Sequence, residues 1–206
     1  MNKKFDSKIR IAARKVMNDE KSLSEVIRGL ASEKPKIKYQ SGKILMFLSQ
    51  ENPKMLYPKW DSFVDLLNNE NTFMKSIGII IISNLTRTDT KNKFDKIFDK
   101  FYKLLNDESM ITAANLAGYS GMIGQAKPEL QTKITNSLLS IDKTHHSPEC
   151  KNIIKGKAIL SLGEYFEQAK DKKKIIQFVK RESKNTRSAT RKKAERFLKK
   201  WDKGCL

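Results

Sequence analysis

The chain has 206 residues, with 42 lysines and arginines against 23 acidic residues, a formal charge of +19. That length suits one domain or one short repeat stack, and 38% hydrophobic with 32% charged residues suits a thin stack with much surface. Only Cys150 and Cys205 are cysteines, which argues against a disulfide framework and for a reducing, cytoplasmic setting. The charged N-terminus carries no signal-peptide core, and the longest apolar run, Ile77 to Ile82, falls far short of the ~20 residues of a membrane span.

Residues 3–17 put Phe5, Ile9, Ala12, Ala13, Val16 and Met17 on one helical face, with Lys3, Lys8, Arg10, Arg14 and Lys15 largely elsewhere. This predicts an N-terminal capping helix within residues 1–20. Ser22, with Glu25 three residues on, reads as the N-cap of a short helix to Ala31. Pro35 opens a helix to about residue 50, and Pro53 breaks the chain before a third that holds Met55, Leu56, Trp60, Phe63, Val64, Leu66 and Leu67. After a turn at 68–71, residues 73–85 are apolar nearly all round, as a buried helix requires.

The helix–turn–helix unit then recurs. Residues 92–105 present Phe94, Ile97, Phe98, Phe101, Leu104 and Leu105, and residues 109–124 are rich in Ala and Gly, which favours close helix approach. Helices over 128–141, 149–169, 172–184 and 186–201 follow, with the longest turn at 142–148. Residues 170–206 form a basic C-terminal capping hairpin. The whole chain is expected to be one all-α domain over residues 1–206.

Within the second helix of each hairpin an apolar anchor precedes a small residue by four positions. The pairs are Ile37 and Ser41, Met74 and Gly78, Met110 and Ala114, Ile154 and Ala158, and, with a weak anchor, Thr186 and Thr190. Successive anchors lie 37, 36, 44 and 32 residues apart, the range of stacked helical hairpins. The segment Ile154-Lys-Gly-Lys-Ala158-Ile-Leu-Ser161-Leu162-Gly163 carries the pattern best, and Lys193 in the last unit stands where it calls for an apolar residue. These segments resemble HEAT repeats, over roughly residues 20–201. The resemblance implies a right-handed alpha-solenoid of about five HEAT-like helical hairpins whose second helices line the concave face. Most HEAT-like proteins bind proteins, and a minority bind nucleic acid.

Charge is not spread evenly. Residues 1–40 carry 11 basic and 5 acidic groups, residues 41–169 carry 16 and 14, and residues 170–203 carry 15 and 4. Arg181, Arg187, Arg191 and Arg196 put half of the eight arginines into this last segment. The residue after the anchor is basic in four units: Lys38, Lys75, Lys155 and Arg187. Stacked hairpins would set these about ~10 Å apart as a ladder suited to a polyanion. On the last helix Arg187, Arg191, Lys192, Arg196, Lys199, Lys200 and Lys203 surround an apolar stripe of Ala194, Phe197, Leu198 and Trp201. Long cationic side chains presented together are what phosphate contact requires.

The expected function is therefore a non-catalytic, probable-monomer-sized module that engages nucleic acid, DNA or RNA, through a basic surface, with no membrane insertion and no cofactor. The alternative is a scaffold for an acidic or other protein, with the charge serving solubility. A third reading comes from the alkylpurine DNA glycosylases, which are built from similar repeats and use tryptophans with a catalytic aspartate. Trp60, Asp61, Asp65 and Trp201 do not reproduce that pattern, and Trp60 shares helical spacing with Phe63, Val64 and Leu67, which reads as core. His145, His146 and Cys150 lie in one loop without the paired spacing of zinc sites. No phosphate loop, nucleophile elbow or histidine triad is present.

Overall fold

In a computed structural model the described residues are 5–17 and 19–202, so Lys3, Lys203 and Cys205 lie outside them. The described residues form α-helices and short 3-10 turns, with no strand among them. No helix among them is long and apolar enough to cross a membrane. Where the sequence suggested one continuous domain, the chain contacts separate two compact units, divided after Lys91.

The first unit begins with α1 (Ser7–Met17), which buries Ile9, Ala13 and Val16 and packs on the next two helices, α2 (Glu20–Gly29) and α3 (Pro35–Glu51). Met17, expected on the buried face, is exposed, as is Ile11. The N-cap of α2 is Asp19 and not Ser22. Its carboxylate accepts from the Lys21 and Ser22 amides at 3.0 and 3.1 Å, and an ionised cap also suits the positive end of the helix dipole. Pro58 breaks the expected third helix into α4 (Pro53–Leu56), a 3-10 turn and α5 (Trp60–Asp65), because proline removes a backbone donor.

Next comes α6 (Thr72–Leu85), capped by Asn71, whose side chain accepts from the Phe73 and Met74 amides. Met74, Ile77, Ile79, Ile80, Ile81, Ile82 and Leu85 are all buried. Each such side chain contributes roughly 1.5–3 kcal/mol of apolar burial. Gly78 lets α6 approach α5 and the turn after it: a Cβ there would stand 3.0 Å from both the Phe63 carbonyl oxygen and Leu66 Cβ. Between α3 and α6, the Asn84 amide donates to Ser49 Oγ at 2.9 Å, and Arg87 Nη2 donates to the Gln50 carbonyl at 2.8 Å. The last carbonyls of α3 are thereby satisfied.

The second unit comprises α7 (Lys93–Lys103), α8 (Met110–Ala126), α9 (Gln131–Leu139), α10 (Pro148–Tyr165), α11 (Lys172–Glu182) and α12 (Ser188–Trp201). Here α8, α10 and α12 pack in succession as one layer, and α9 and α11 pack against each other and against that layer. Small residues set the α8–α10 distance. A Cβ on Gly121 would lie 2.7 Å from the Ser161 carbonyl oxygen, and one on Gly124 would overlap the Tyr165 ring. Ser161 Oγ donates to the Ala117 carbonyl at 2.5 Å, and the hydroxyls of Thr135 and Tyr165 meet at 2.8 Å.

The small partners Ser41, Gly78, Ala114, Ala158 and Thr190 are all buried. The anchors divide. Met74 and Ile154 are buried, Met110 is half-buried, and Ile37 and Thr186 are exposed. Close helix approach constrains the small position, whereas an anchor in the first turn of its helix is covered only where a neighbour reaches that end.

Candidate nucleic-acid interface

The proposed ladder of basic residues does not form a uniform set. Lys38 and Lys75 belong to the first unit, half-buried at the fourth positions of the packed helices α3 and α6. In the second unit Lys155 is withdrawn from any ligand surface, at 9% exposure. Its Nζ lies 2.6 Å from Asp142 Oδ1 and 3.1 Å from Glu182 Oε1. Burial disfavours the ammonium, but the hydrogen bonds and charges of Asp142 and Glu182 outweigh it and raise Lys155 above its ordinary 10.5. This lysine is a structural tie between α10, α11 and the turn before α10. It belongs to a network in which Asn185 Nδ2 donates to Glu182 and to Asn152, and Thr190 Oγ1 donates to the Asn152 carbonyl.

Arg187, the N-cap residue of α12, is half-buried and paired with Glu149 in the first turn of α10. Arg191 is also half-buried and donates Nη1 to the Asn185 carbonyl at 2.9 Å. Both arginines therefore do local work. Lys192, Arg196, Lys199 and Lys200 are exposed. The first three recur at i, i+4 and i+7 and so share one side of α12. Glu195 is exposed among them. Lys200 Nζ also sits 4.2 Å from the centre of the Trp201 ring.

The acids of this segment are spent elsewhere. Glu182 holds Lys155, Asp171 holds Lys174 at 3.0 Å, and Asp202 holds Lys180 at 2.8 Å. Asp171 is kept below the usual carboxylate range by hydrogen bonds from Thr132 and then Lys174. Internal pairing thus leaves Glu195 as the acid nearest the exposed cations along α12.

Two further cations were not among the expected site residues. Lys157 and Lys193, both half-buried, reach across the α8–α10–α12 layer beside Gly118 and Gly156. Lys193 was visible in the sequence as a misfit at an apolar position. Lys157 carried a weaker signal: it stands two residues after Lys155, about 200° around the helix, and so on the other side of α10. Two turns further along α10, the Glu164 carboxylate leans over Gly121, and burial raises it above the ordinary 4.5. This face is basic at one end and carries a partly desolvated acid farther along.

At the end of the layer, Phe166 packs edge-on to Phe197 with centroids 5.1 Å apart, and tilted to Trp201 at 5.2 Å. Trp201 keeps partial exposure and, with Phe166, Glu167, Lys172, Lys173, Ile176, Gln177 and Asp202, lines an open groove of about 600 Å³. Trp60 is 1% exposed and packs edge-on to Tyr57, which leaves it no face for a base, while Asp61 and Asp65 are exposed. The neighbouring Tyr57 hydroxyl donates to Asp89 at 2.6 Å. Burial first and that hydrogen bond second push it up to about 12.

In the loop before α10, His145 Nδ1 lies 2.9 Å from Asn106 Oδ1, and His146 Nε2 lies 3.0 Å from the Leu105 carbonyl oxygen. Both rings thus clamp the loop to the turn after α7.

No protein-family model matches the sequence, and no curated protein matches it significantly. Among solved structures the fold is similar to an engineered protein determined by the Northeast Structural Genomics Consortium. The TM-score is 0.57 at 14% identity, over 96% of this chain and 92% of that one. That likeness concerns the fold alone.

Proposed function

We propose that the protein is a non-catalytic helical-repeat module that binds nucleic acid through its phosphates, using the basic surface of the second unit. One observation carries this reading: in residues 170–203 the acids Asp171, Glu182 and Asp202 are occupied by internal lysines, while Lys192, Arg196, Lys199 and Lys200 stand exposed along α12. Surplus charge displayed this way attracts a polyanion and releases its counterions on binding. We read the hairpins as units of a HEAT-like right-handed solenoid. The packing of α3 on α6, and of α8, α10 and α12 in turn, supports that reading within each unit.

The competing reading, a scaffold for another protein, draws on exposed apolar side chains, Ile111 on α8 and Leu160 on α10, at 56% and 44% exposure. Fluorescence anisotropy with labelled duplex and single-stranded DNA and RNA at two salt concentrations separates the two. Under the nucleic-acid reading, log K falls with log salt by about 0.9 per phosphate neutralised on a duplex. The triple variant Lys192→Glu, Arg196→Glu, Lys199→Glu then binds more than about tenfold more weakly, a loss of over about 1.4 kcal/mol. Absence of binding at low salt would favour the scaffold.

A further inference from the structure

Lys193 stands where the repeat calls for an apolar side chain, and its course explains the substitution. The half-buried side chain crosses from α12 to α10, so that a Cβ on Gly156 would lie 3.3 Å from Lys193 Nζ and 2.6 Å from Thr190 Oγ1. The missing methyl is the space that admits the amine. Lys157, the next residue along α10, makes the same move toward α8: its Cδ and Cβ would lie 3.5 and 3.8 Å from a Cβ on Gly118. Two lysine stems are therefore laid over two glycines in one layer, with Arg187 at the start of α12 as a third cation.

The charges crowd one another. Lys193 is held below its ordinary 10.5 by burial first, then by repulsion from Lys157 and from Arg187, and no carboxylate offsets these effects. Arg187 has Glu149, and Lys155 has Asp142 and Glu182. Thr190 Oγ1 already donates to the Asn152 carbonyl, so the ammonium of Lys193 is the donor this gap offers. Half-buried like charges destabilise a fold, and methionine or leucine would fill the position without that cost. An anion is the partner that turns the arrangement favourable.

We propose that Lys157 and Lys193 form a phosphate-binding subsite on the α8–α10–α12 layer. It takes one phosphate group, held by ammonium hydrogen bonds and charge. The phosphate chemistry stands on these residues; that the phosphate belongs to a nucleic-acid backbone rests on the function proposed above.

The test uses the full chain, inorganic phosphate and a labelled single-stranded oligonucleotide. Phosphate should shift the Lys157 and Lys193 side-chain amine resonances saturably and raise the melting temperature. Without phosphate, Lys193→Met should melt higher than the parent by about 2–4 °C and lose the phosphate-dependent rise. Lys193→Gln should lose the same rise without the added apolar packing. Lys100→Gln, which removes one exposed charge on α7, should keep the parent response. Saturable phosphate shifts with no oligonucleotide binding would uphold the subsite and assign it to a free phosphate or phosphorylated ligand, against the nucleic-acid reading. Equal oligonucleotide affinity for the parent and the Lys157→Met, Lys193→Met double variant would overturn the subsite and leave that reading intact. A lower melting temperature for both Lys193 variants, with phosphate shifts unchanged at Lys157, would also overturn it.

Discussion

Lys155 and Lys157 stand two residues apart on α10 and meet opposite surroundings. On one side of the helix, Lys155 is enclosed by Asp142 and Glu182 and its charged form is favoured. On the other, Lys157 faces a region where Lys193 and Arg187 add to the positive field, and the charged form of Lys193 is disfavoured. The same residue type, separated by about 200° of helix, serves cohesion on one side and leaves charge available on the other. Basic content by itself says little about a ligand; the disposition of the nearby carboxylates decides what each cation does.

The largest test of this contrast is Lys155→Ala. It leaves Glu182, 5% exposed, without its cation, and removing one partner of a buried pair costs roughly 3–5 kcal/mol. Denaturant unfolding should show that loss; a change under about 1 kcal/mol, the range of an exposed pair, would reduce Lys155 to a surface cation. Next in size is Gly156→Ala, whose Cβ would stand 2.6 Å from Thr190 Oγ1 and crowd Lys193. Overpacking of this kind costs about 1–3 kcal/mol, again read by denaturant unfolding. An unchanged midpoint would mean that the gap beside Gly156 is not tightly packed.

The smallest effect, and the sharpest in sign, is pH dependence above neutrality. Lys193 has a lowered folded pKa, so between that value and its ordinary 10.5 the unfolded chain binds more protons, and this group makes stability rise with pH. Lys155 has a raised folded pKa, so its contribution is complete below 10.5 and disappears as pH rises through the folded value. Denaturant melts of the parent and of Lys193→Met across pH 8 to 11 should differ by the rising component alone. Parallel curves would show that Lys193 is not under repulsion.

Much of the helical order was legible because hydrophobic period, prolines and small residues act over a few positions. Pro35, Pro53 and Pro128 open helical segments, and the small residues Ser41, Gly78, Ala114, Ala158 and Thr190 are all buried. Local competition was harder to read: Asp19 displaced Ser22 as N-cap, and Pro58 divided a helix whose apolar pattern ran on without interruption. The fate of individual cations was not legible. Lys155 depends on Asp142, thirteen positions earlier, and Glu182, twenty-seven later, and no period in the sequence expresses that meeting. Arg187 and Arg191 looked like binding residues through clustering, yet Glu149 and the Asn185 carbonyl engage them. Lys193 was the exception, since a misfit to the pattern is itself a local signal.

The isoleucine-rich stretch of α6 bears on how the chain must be handled before it is folded. Ile79 to Ile82 are β-branched, carry no charge and lie in a window without proline, the composition that favours intermolecular strand pairing once it is uncovered. In the native molecule this segment is helical and its isoleucines are at most 6% exposed. Any opening of the first unit therefore releases an aggregation-prone strand, so heating past the transition should precipitate the protein, and refolding yield should fall with concentration.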